Sequence, residues 1–282
     1  MENNYQIIPI YYAGNSLVFP GIFMSAYSVA KTTKNPVSIN ILTMDVTEKD
    51  PKFKPINDDQ RAILEKHIKQ FNSKNSVRII DMKAHYEKHI KNSKNDNTIY
   101  TPYSMLRLFM DKVEDIEDKC IYLDIDTMVI KDISELYNID MTNYEYGAAL
   151  DYLGKTWINR DYCNSGVLLL NMKLVRERNL FPKCFEHIKT HRSMLPDQTA
   201  LYRCVEDKLI LPGKFNEQRE IKEDTVVKHF CKGVKWWRPI FNVYNIKQWQ
   251  IEDVHKKLKI YDFDDIYEIM DKERQKNPEL FK

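Results

Sequence analysis

Short apolar runs alternate with amphipathic segments along the first half of the chain. Runs at 7–13, 38–44 and 77–81 predict strands. Between them, 22–30 carries apolar residues at helical spacing, and 57–71 does so after a capping residue. This alternation predicts an α/β fold with a mostly parallel, Rossmann-like mixed sheet and helices on both faces.

The second half continues the same alternation. A proline at the start of 101–111 predicts a helix there, and the Lys- and Asn-rich segment 88–97 predicts an exposed loop. The tail, 247–282, has a polar helical pattern. The remaining predicted strands are 146–151, 166–170 and 225–230, and the remaining predicted helices are 172–180, 182–191 and 196–205.

One stretch in the middle of the chain joins an apolar run to two carboxylates. Residues 121–123 lead directly into Asp124 and Asp126, and a second apolar run follows at 128–130. A continuous apolar run predicts a strand buried on both faces, and ligands bind at the carboxyl ends of such strands. Two carboxylates this close repel each other, and hard divalent cations prefer oxygen ligands. The stretch therefore indicates a metal site.

Two other interpretations of this Asp-x-Asp-x-Thr sequence are open. The aspartates can be ordinary residues that cap a turn at the end of a strand. The same pattern also begins the haloacid-dehalogenase phosphatase fold, in which the first aspartate, here Asp124, is the nucleophile. That fold requires a later acidic motif such as Gly-Asp, and none of the seven glycines is followed by aspartate.

The composition indicates which classes of binding partner and which cellular compartment to expect. The net charge of +2, from 43 Lys+Arg and 41 Asp+Glu, offers no electrostatic basis for nucleic-acid binding. The glycines are too scattered for a dinucleotide fingerprint or a P-loop. Five cysteines without Cys-x-x-Cys spacing indicate reduced thiols and a cytoplasmic location. The N-terminus shows no secretory signal, and we expect no transmembrane segment.

Two further residues stand out by their position. His229 ends the predicted strand 225–230, where an imidazole could complete a metal site begun by the aspartates or could be an ordinary core histidine. Arg107 lies among apolar residues of the predicted helix 101–111. Because a buried arginine is rarely unpaired, Arg107 should either pair with a buried carboxylate or reach a ligand.

Five segments, taken in order, resemble glycosyltransferase family 8, the retaining nucleotide-sugar transferases of the GT-A fold. Residues 122–127 look like the family's metal-binding Asp-x-Asp strand, and 103–108 look like its upstream Arg-Leu helix. Residues 163–171 resemble the Asn-[Ala/Ser]-Gly-Val strand, and 196–198 resemble the Asp-Gln pair. Residues 229–237 are similar to the segment that runs from a metal-binding histidine to a diphosphate-binding lysine. The resemblance spans about 5–240.

The resemblance implies a role for each matched residue. Asp124, Asp126 and His229 would be the ligands of Mn2+ or Mg2+. Asp197 and Gln198 would lie beneath the anomeric carbon as the catalytic pair. The implied donor-binding residues are Ala13, Asn15, Arg107, Asp124, Ile125, Asp126, Asp151, Asn164, Ser165, Asp197, Gln198, His229, Gly233 and Lys235.

The chain departs from the family pattern on the nucleotide side. The family usually has an acidic residue after the first strand, whereas this chain has Ala13, Gly14 and Asn15. Asn15 can still hydrogen-bond uracil. In the last segment the glycine is displaced to Gly233 and tryptophan replaces the proline after Lys235, so the backbone path to that lysine differs.

The expected activity is metal-dependent, retaining transfer of glucose or galactose from a UDP-sugar to a glycan, glycolipid or glycoprotein acceptor. The alternatives are the phosphatase with Asp124 as nucleophile and an inactive nucleotide-sugar-binding module. We expect a GT-A catalytic domain at 1–240, with a nucleotide-binding half at about 1–130 and a sugar and acceptor half at about 131–240. A helical extension should follow at 241–282. The expected location is cytoplasmic, with the inner face of the membrane reached through the acceptor.

Overall fold

The computed structural model describes residues 6–96, 101–237 and 240–281, with the side chains of 235–237 and 240–242 outside that description. In those ranges the strands are β1 Ile8–Ala13, β2 Val37–Thr43, β3 Ser76–Asp81, β4 Lys119–Leu123, β5 Thr127–Val129, β6 Tyr146–Ala149, β7 Val167–Asn171, β8 Lys208–Leu211, β9 Val227–His229, β10 Gly233–Trp237 and β11 Ile240–Tyr244. The α-helices are α1 Phe19–Thr32, α2 Asp58–Ile68, α3 Lys83–His89, α4 Ser134–Tyr137, α5 Gly154–Trp157, α6 Met172–Glu177, α7 Leu180–Thr190, α8 Pro196–Cys204, α9 Ile251–Asp253 and α10 Asp264–Lys276. The other helical segments are the 3₁₀ helices Ser16–Val18, Pro102–Lys112 and Gly213–Phe215 and the π-helical turn Val254–Leu258.

The strands form one large mixed sheet and two small antiparallel pairs in the described part of the chain. The large sheet has the order β3-β2-β1-β4-β7-β6-β8. Its neighbours run parallel except where β7 lies antiparallel to β4 and β6. The smaller pairs are β5 with β9 and the hairpin of β10 with β11. The predicted mostly parallel mixed sheet is therefore confirmed.

The central strands are buried on both faces, as their continuous apolar sequences predict. In β4, Ile121 and Leu123 belong to one hydrophobic cluster, whereas Cys120 and Tyr122 belong to the cluster on the opposite face. Successive side chains of a strand point to opposite faces, so both faces of β4 are covered. Polar side chains can therefore be exposed only where this strand ends, which is where Asp124 follows it.

The helix predicted at 101–111 is present, and it is a 3₁₀ helix, Pro102–Lys112. Pro102 in its first turn has no N–H to donate. Bonds from the Ser104 amide to the Thr101 carbonyl and from Val113 to Met110, both 3.1 Å, close turns of three residues at its two ends. The tighter turn is the structure that presents Arg107 to the end of β4.

The prediction of an exposed loop at 88–97 is wrong at both described ends of the segment, because α3 covers its start and the polar residues Asn95 and Asp96 are buried. Asp96 accepts a hydrogen bond from the Tyr86 hydroxyl at 2.6 Å and pairs with Lys49 at 2.5 Å. Asn95 donates to the Ile188 carbonyl at 2.6 Å. Polar residues can be buried when each group has a partner, and these partners lie far away in sequence. Residue 97 lies outside the described residues.

The C-terminal segment packs on the first two helices of the chain. Phe281 contacts Phe19 and Phe23, with ring centroids 5.3 and 5.4 Å apart. Between α2 and α10, His67 Nε2 lies 3.3 Å from the Glu273 carboxylate. The helical character predicted for 241–282 is present in α9 and α10, although the segment begins with β11. The domain boundaries proposed above stay predictions.

No helix in the described ranges combines the length and the apolar content needed to cross a membrane.

Candidate functional site

The site begins at the end of β4, where the chain turns sharply before β5. The Thr127 amide and hydroxyl both donate to the Asp124 carbonyl, at 3.1 and 2.8 Å. The Asp124 amide in turn donates to the Gly166 carbonyl at 2.7 Å, which extends the pairing of β4 with β7. This turn holds Asp124 and Asp126 on the same edge of the sheet.

His229 reaches the two aspartates because β9 pairs with β5. The register places His229 opposite Thr127, and the Phe230 amide donates to the Asp126 carbonyl at 2.7 Å. His229 Nε2 lies 3.2 Å from Asp126 Oδ1 and 4.0 Å from Asp124 Oδ2. One ligand atom from each of the three residues lies within 4.8 Å of the others. The cluster expected from the sequence is thus assembled, and two carboxylates with an imidazole suit a divalent cation.

A chain of amides orients the imidazole. Asn164 donates from its amide nitrogen to the Asp151 carboxylate at 2.9 Å, so its amide oxygen faces Asn216. Asn216 donates to that oxygen at 2.9 Å and therefore presents its own oxygen to His229 Nδ1, also at 2.9 Å. Nδ1 then carries a proton, and Nε2 is directed at Asp126. This arrangement is typical of a metal-binding histidine whose second nitrogen is held by an outer partner.

Gly166 makes room for the cluster. A Cβ atom at this position would lie 2.2 Å from His229 Cε1 and 2.8 Å from Asp124 Oδ2. No larger residue fits without displacing both side chains. Gly166 was not among the site residues expected from the sequence, although it belongs to the 163–171 segment that signalled the resemblance.

Arg107 connects the cluster to a second group of polar residues. Its guanidinium pairs with Asp124 Oδ1 at 2.7 Å and with Asp197 Oδ2 at 3.0 Å. It also donates to the Ser165 carbonyl at 2.5 Å and lies over the Tyr122 ring, 4.5 Å from the centroid. Burial opposes its charge, but the nearby carboxylates more than compensate and raise the pKa of Arg107 above its ordinary value. The sequence-based expectation that Arg107 pairs with a buried carboxylate is confirmed by its contact with Asp197.

The second group, which we call the amide network, consists of Asp151, Asn164, Ser165 and Gln198. Gln198 donates to Asp151 at 3.2 Å and accepts from the Ser165 amide at 3.1 Å. The other Asp151 oxygen accepts from the backbone amides of Leu153 and Gly154 at 3.0 and 2.6 Å, at the start of α5. Both ends of the Gln198 amide are therefore held in place.

The pKa values of the two aspartates in the cluster are shifted in opposite directions. Burial raises the pKa of Asp124 above its ordinary value, against the opposing charge of Arg107. Burial also acts on Asp126, but Lys247 and then His229 more than offset it and hold the pKa of Asp126 well below its usual range. Lys247 comes from the C-terminal segment and forms an ion pair with Asp126 Oδ2. This lysine could not be recognised from the sequence, because nothing in a local pattern connects residues 121 positions apart.

The remaining expected donor residues lie on the same edge of the sheet or on the hairpin beyond it. The parallel register of β1 with β4 brings Ala13 beside Asp124, and buried Asn15 opens the 3₁₀ turn that follows. Ile125 lies between the two aspartates and accepts from Gln248 at 2.6 Å. Gly233 begins β10, where a Cβ atom would meet the Tyr244 ring at 2.3 Å. Lys235 pairs with Asn242 along the hairpin backbone, but its side chain lies outside the described residues.

Comparison with known proteins identifies the family. The sequence pattern of glycosyl transferase family 8 matches residues 2–240. The chain belongs to glycosyl transferase family 8. A Haemophilus influenzae protein provisionally named a glycosyltransferase is 24% identical over 257 residues, which cover 82% of this chain and 73% of that relative. Glycosyltransferase GlyA of Streptococcus pneumoniae is 33% identical over 70 residues, 25% of this chain and 10% of that protein.

The family 8 chain also shares its fold with solved glycosyltransferases. Galactosyltransferase LgtC, solved with donor and acceptor sugar analogs, aligns with a TM-score of 0.64 at 16% identity, over 94% of this chain and 96% of that one. The bifunctional glycosyltransferase WbbM gives a TM-score of 0.67 at 16% identity, over 96% of this chain and 50% of that one. The expected GT-A fold is confirmed. The family 8 assignment leaves the phosphatase alternative without support.

Proposed function

We propose that this family 8 glycosyltransferase is a metal-dependent, retaining hexosyltransferase that moves glucose or galactose from a UDP-sugar to a glycan, glycolipid or glycoprotein acceptor. The observation that carries the proposal is the joint position of the Asp124, Asp126 and His229 cluster and the amide network. The cluster suits the diphosphate of a nucleotide sugar, and the amide network suits the hydroxyls of a hexose. Arg107, which contacts members of both groups, fixes their relative position.

Asp124, Asp126 and His229 would hold Mn2+ or Mg2+. When bound, that cation would neutralise the diphosphate and act as a Lewis acid for the departing UDP. Lys235 would add positive charge where charge develops on the leaving group. Ala13, Asn15 and Ile125, on the edge beside the cluster, would contact the uridine.

The sugar would lie against Arg107 and the amide network. Gln198 is a neutral amide and therefore a poor nucleophile, and the Asp197 carboxylate is engaged by Arg107 at 3.0 Å. These contacts favour a front-face route over a covalent glycosyl intermediate. The bond between the anomeric carbon and the UDP oxygen breaks, the acceptor oxygen bonds to the same face, and its proton passes to UDP. Gln198 would support the positive charge of the transition state electrostatically.

The free cysteines support a cytoplasmic location. Cys120, Cys163 and Cys184 are buried thiols, and Cys204 and Cys231 are partly buried thiols, with no disulfide among them. A reducing compartment keeps thiols in this form. We place the enzyme in the cytoplasm, where it would meet a membrane only through its acceptor.

The decisive experiment is release of UDP from a panel of UDP-sugars, measured with Mn2+, with Mg2+ and with EDTA. We expect release from UDP-glucose or UDP-galactose that needs the metal and that Asp126→Ala abolishes. Asp140→Ala, which removes an exposed carboxylate elsewhere, is the matched control and should retain activity. When an acceptor is supplied, NMR of the glycoside product should show the donor's anomeric configuration. No release from any UDP-sugar, or turnover of p-nitrophenyl phosphate, would contradict the proposal.

A further inference from the structure

A short segment of the C-terminal part of the chain, residues 246–250, lies directly across the turn that carries the two aspartates. Gln248 is fully buried and donates from its amide nitrogen to the Ile125 carbonyl at 2.6 Å. The neighbouring Trp249 ring packs on Gly21 so closely that a Cβ atom there would lie 2.7 Å from it. These two contacts fix the backbone that directly follows Lys247.

Lys247 is positioned by that anchoring to face the cluster. Its ammonium pairs with Asp126 Oδ2 and donates to the Phe230 carbonyl at 3.1 Å. The other oxygen of Asp126 faces His229 Nε2 at 3.2 Å. The lysine side chain is 23% exposed and the Asp126 side chain 11% exposed, so water screens this charge pair only in part.

A divalent cation that uses Asp126 must compete with this ammonium. Two positive charges on one buried carboxylate repel each other strongly, because the interaction is poorly screened there. The lysine has a flexible four-carbon side chain, so the ammonium can leave Asp126 while the backbone stays in place. An anion that arrives with the cation would offer that ammonium a new partner.

We propose that Lys247 serves two anionic partners in turn, the carboxylate of Asp126 until a divalent cation binds there and the diphosphate of the nucleotide afterwards. The inference rests on the proposed function and adds to it a donor-binding residue. It makes Lys247 a second diphosphate-binding cation besides Lys235, carried by a different segment. It also makes binding of metal and nucleotide mutually supportive, since the nucleotide offers the displaced ammonium a new partner.

The test is a pair of calorimetric titrations on Lys247→Met and on wild type after treatment with EDTA. The first measures Mn2+ affinity without nucleotide, which should rise about tenfold in Lys247→Met because the competing charge is gone. The second measures UDP affinity in saturating Mn2+, which should fall about tenfold because the diphosphate loses a cation. A rise in Mn2+ affinity together with a fall in UDP affinity is the result expected if Lys247 binds first Asp126 and then the diphosphate.

Lys256→Met is the matched control, since it removes the same charge from an exposed side chain paired with Glu252. It should leave both affinities at the wild-type values. Lys247→Gln replaces Lys247→Met if the methionine variant does not fold, and the same two shifts are expected. Affinities equal to those of Lys256→Met, or two shifts of the same sign, would overturn the inference. Failure of wild type to bind UDP would instead count against the proposed function, and the Mn2+ titration would still decide the competition at Asp126.

Discussion

The cluster of Asp124, Asp126 and His229 and the amide network lie side by side but differ in how their charges are compensated. In the amide network, the oxygens and nitrogens of Asp151 and Gln198 face partners that complement them. In the cluster, two carboxylates and an imidazole converge, and Arg107 and Lys247 supply positive charge from one side each. The polar groups of the network satisfy one another, whereas the carboxylates of the cluster take their positive partners from other segments of the chain. A single substitution should therefore affect either the cluster or the amide network alone, unless the substituted residue contacts both regions.

Gly166 joins them, and its substitution should have the largest effect. Gly166→Ala forces a Cβ atom into His229 and Asp124, and the same backbone amide donates to Asn164 at 2.9 Å. We expect about a hundredfold loss of UDP release, the size that a displacement of roughly 1 Å at an active site can produce. UDP release by the purified variant measures it. Gly213→Ala is the control, since nothing lies within 4 Å of a Cβ atom there, and an equal loss in both variants would refute the steric account.

Asp151→Asn should impair the amide network much more than the cluster. The substitution replaces a carboxylate that accepts from Asn164, Gln198 and two backbone amides by a group that can accept through only one atom. We expect turnover of the UDP-sugar to fall by about thirtyfold, as for the loss of charge-assisted hydrogen bonds. Mn2+ affinity should fall by much less, because Asp151 reaches His229 only through Asn164 and Asn216. Steady-state kinetics and a Mn2+ titration check both parts. A matching loss of Mn2+ affinity would show that the regions are not separable.

Asn216→Ala should instead weaken metal binding at the cluster. The Asn216 side chain contacts His229 Nδ1 and also donates to Asn164. It therefore connects the cluster to the amide network independently of Arg107. Outer partners of metal-binding histidines typically contribute about tenfold to metal affinity, and we expect a loss of that size. Calorimetric titration with Mn2+ measures it. An unchanged affinity would mean that the imidazole is oriented by the strand pairing of β5 and β9 alone.

The smallest effect concerns a buried histidine outside both regions. Burial lowers the pKa of His67 below its ordinary value, and the charge of Glu273 opposes that shift. The unfolded chain therefore binds a proton more readily, so stability present above about pH 6.5 is lost as the pH falls from there towards the folded pKa. Thermal melts at pH 7.5 and 5.5 should show a smaller decrease for His67→Gln than for wild type. Glu273→Gln should show a larger one, and identical decreases in all three proteins would exclude His67 as a source of the pH dependence.

Much of the fold and half of the site could be predicted from local sequence. The strands appear as apolar runs because both faces of the sheet are covered, and Asp124 and Asp126 are recognisable because they interrupt such a run. Proline at 102 correctly marks the start of a helix. The burial of Asn95 and Asp96 and the helix α3 were missed. The burial of the two polar residues depends on hydrogen bonds with the distant residues Ile188 and Lys49, which hydrophobic periodicity does not report.

The sequence by itself determined which chemical groups this protein brings to the site and on which edge of the sheet most of them lie. Only the tertiary structure decided how they are paired: Arg107 between Asp124 and Asp197, Asn216 on His229, and Lys247 on Asp126. The physical reason is that a buried strand consists of consecutive apolar residues, which can be recognised in the sequence. The partner of a charge depends on which distant segments the folded sheet brings within a few ångströms of it.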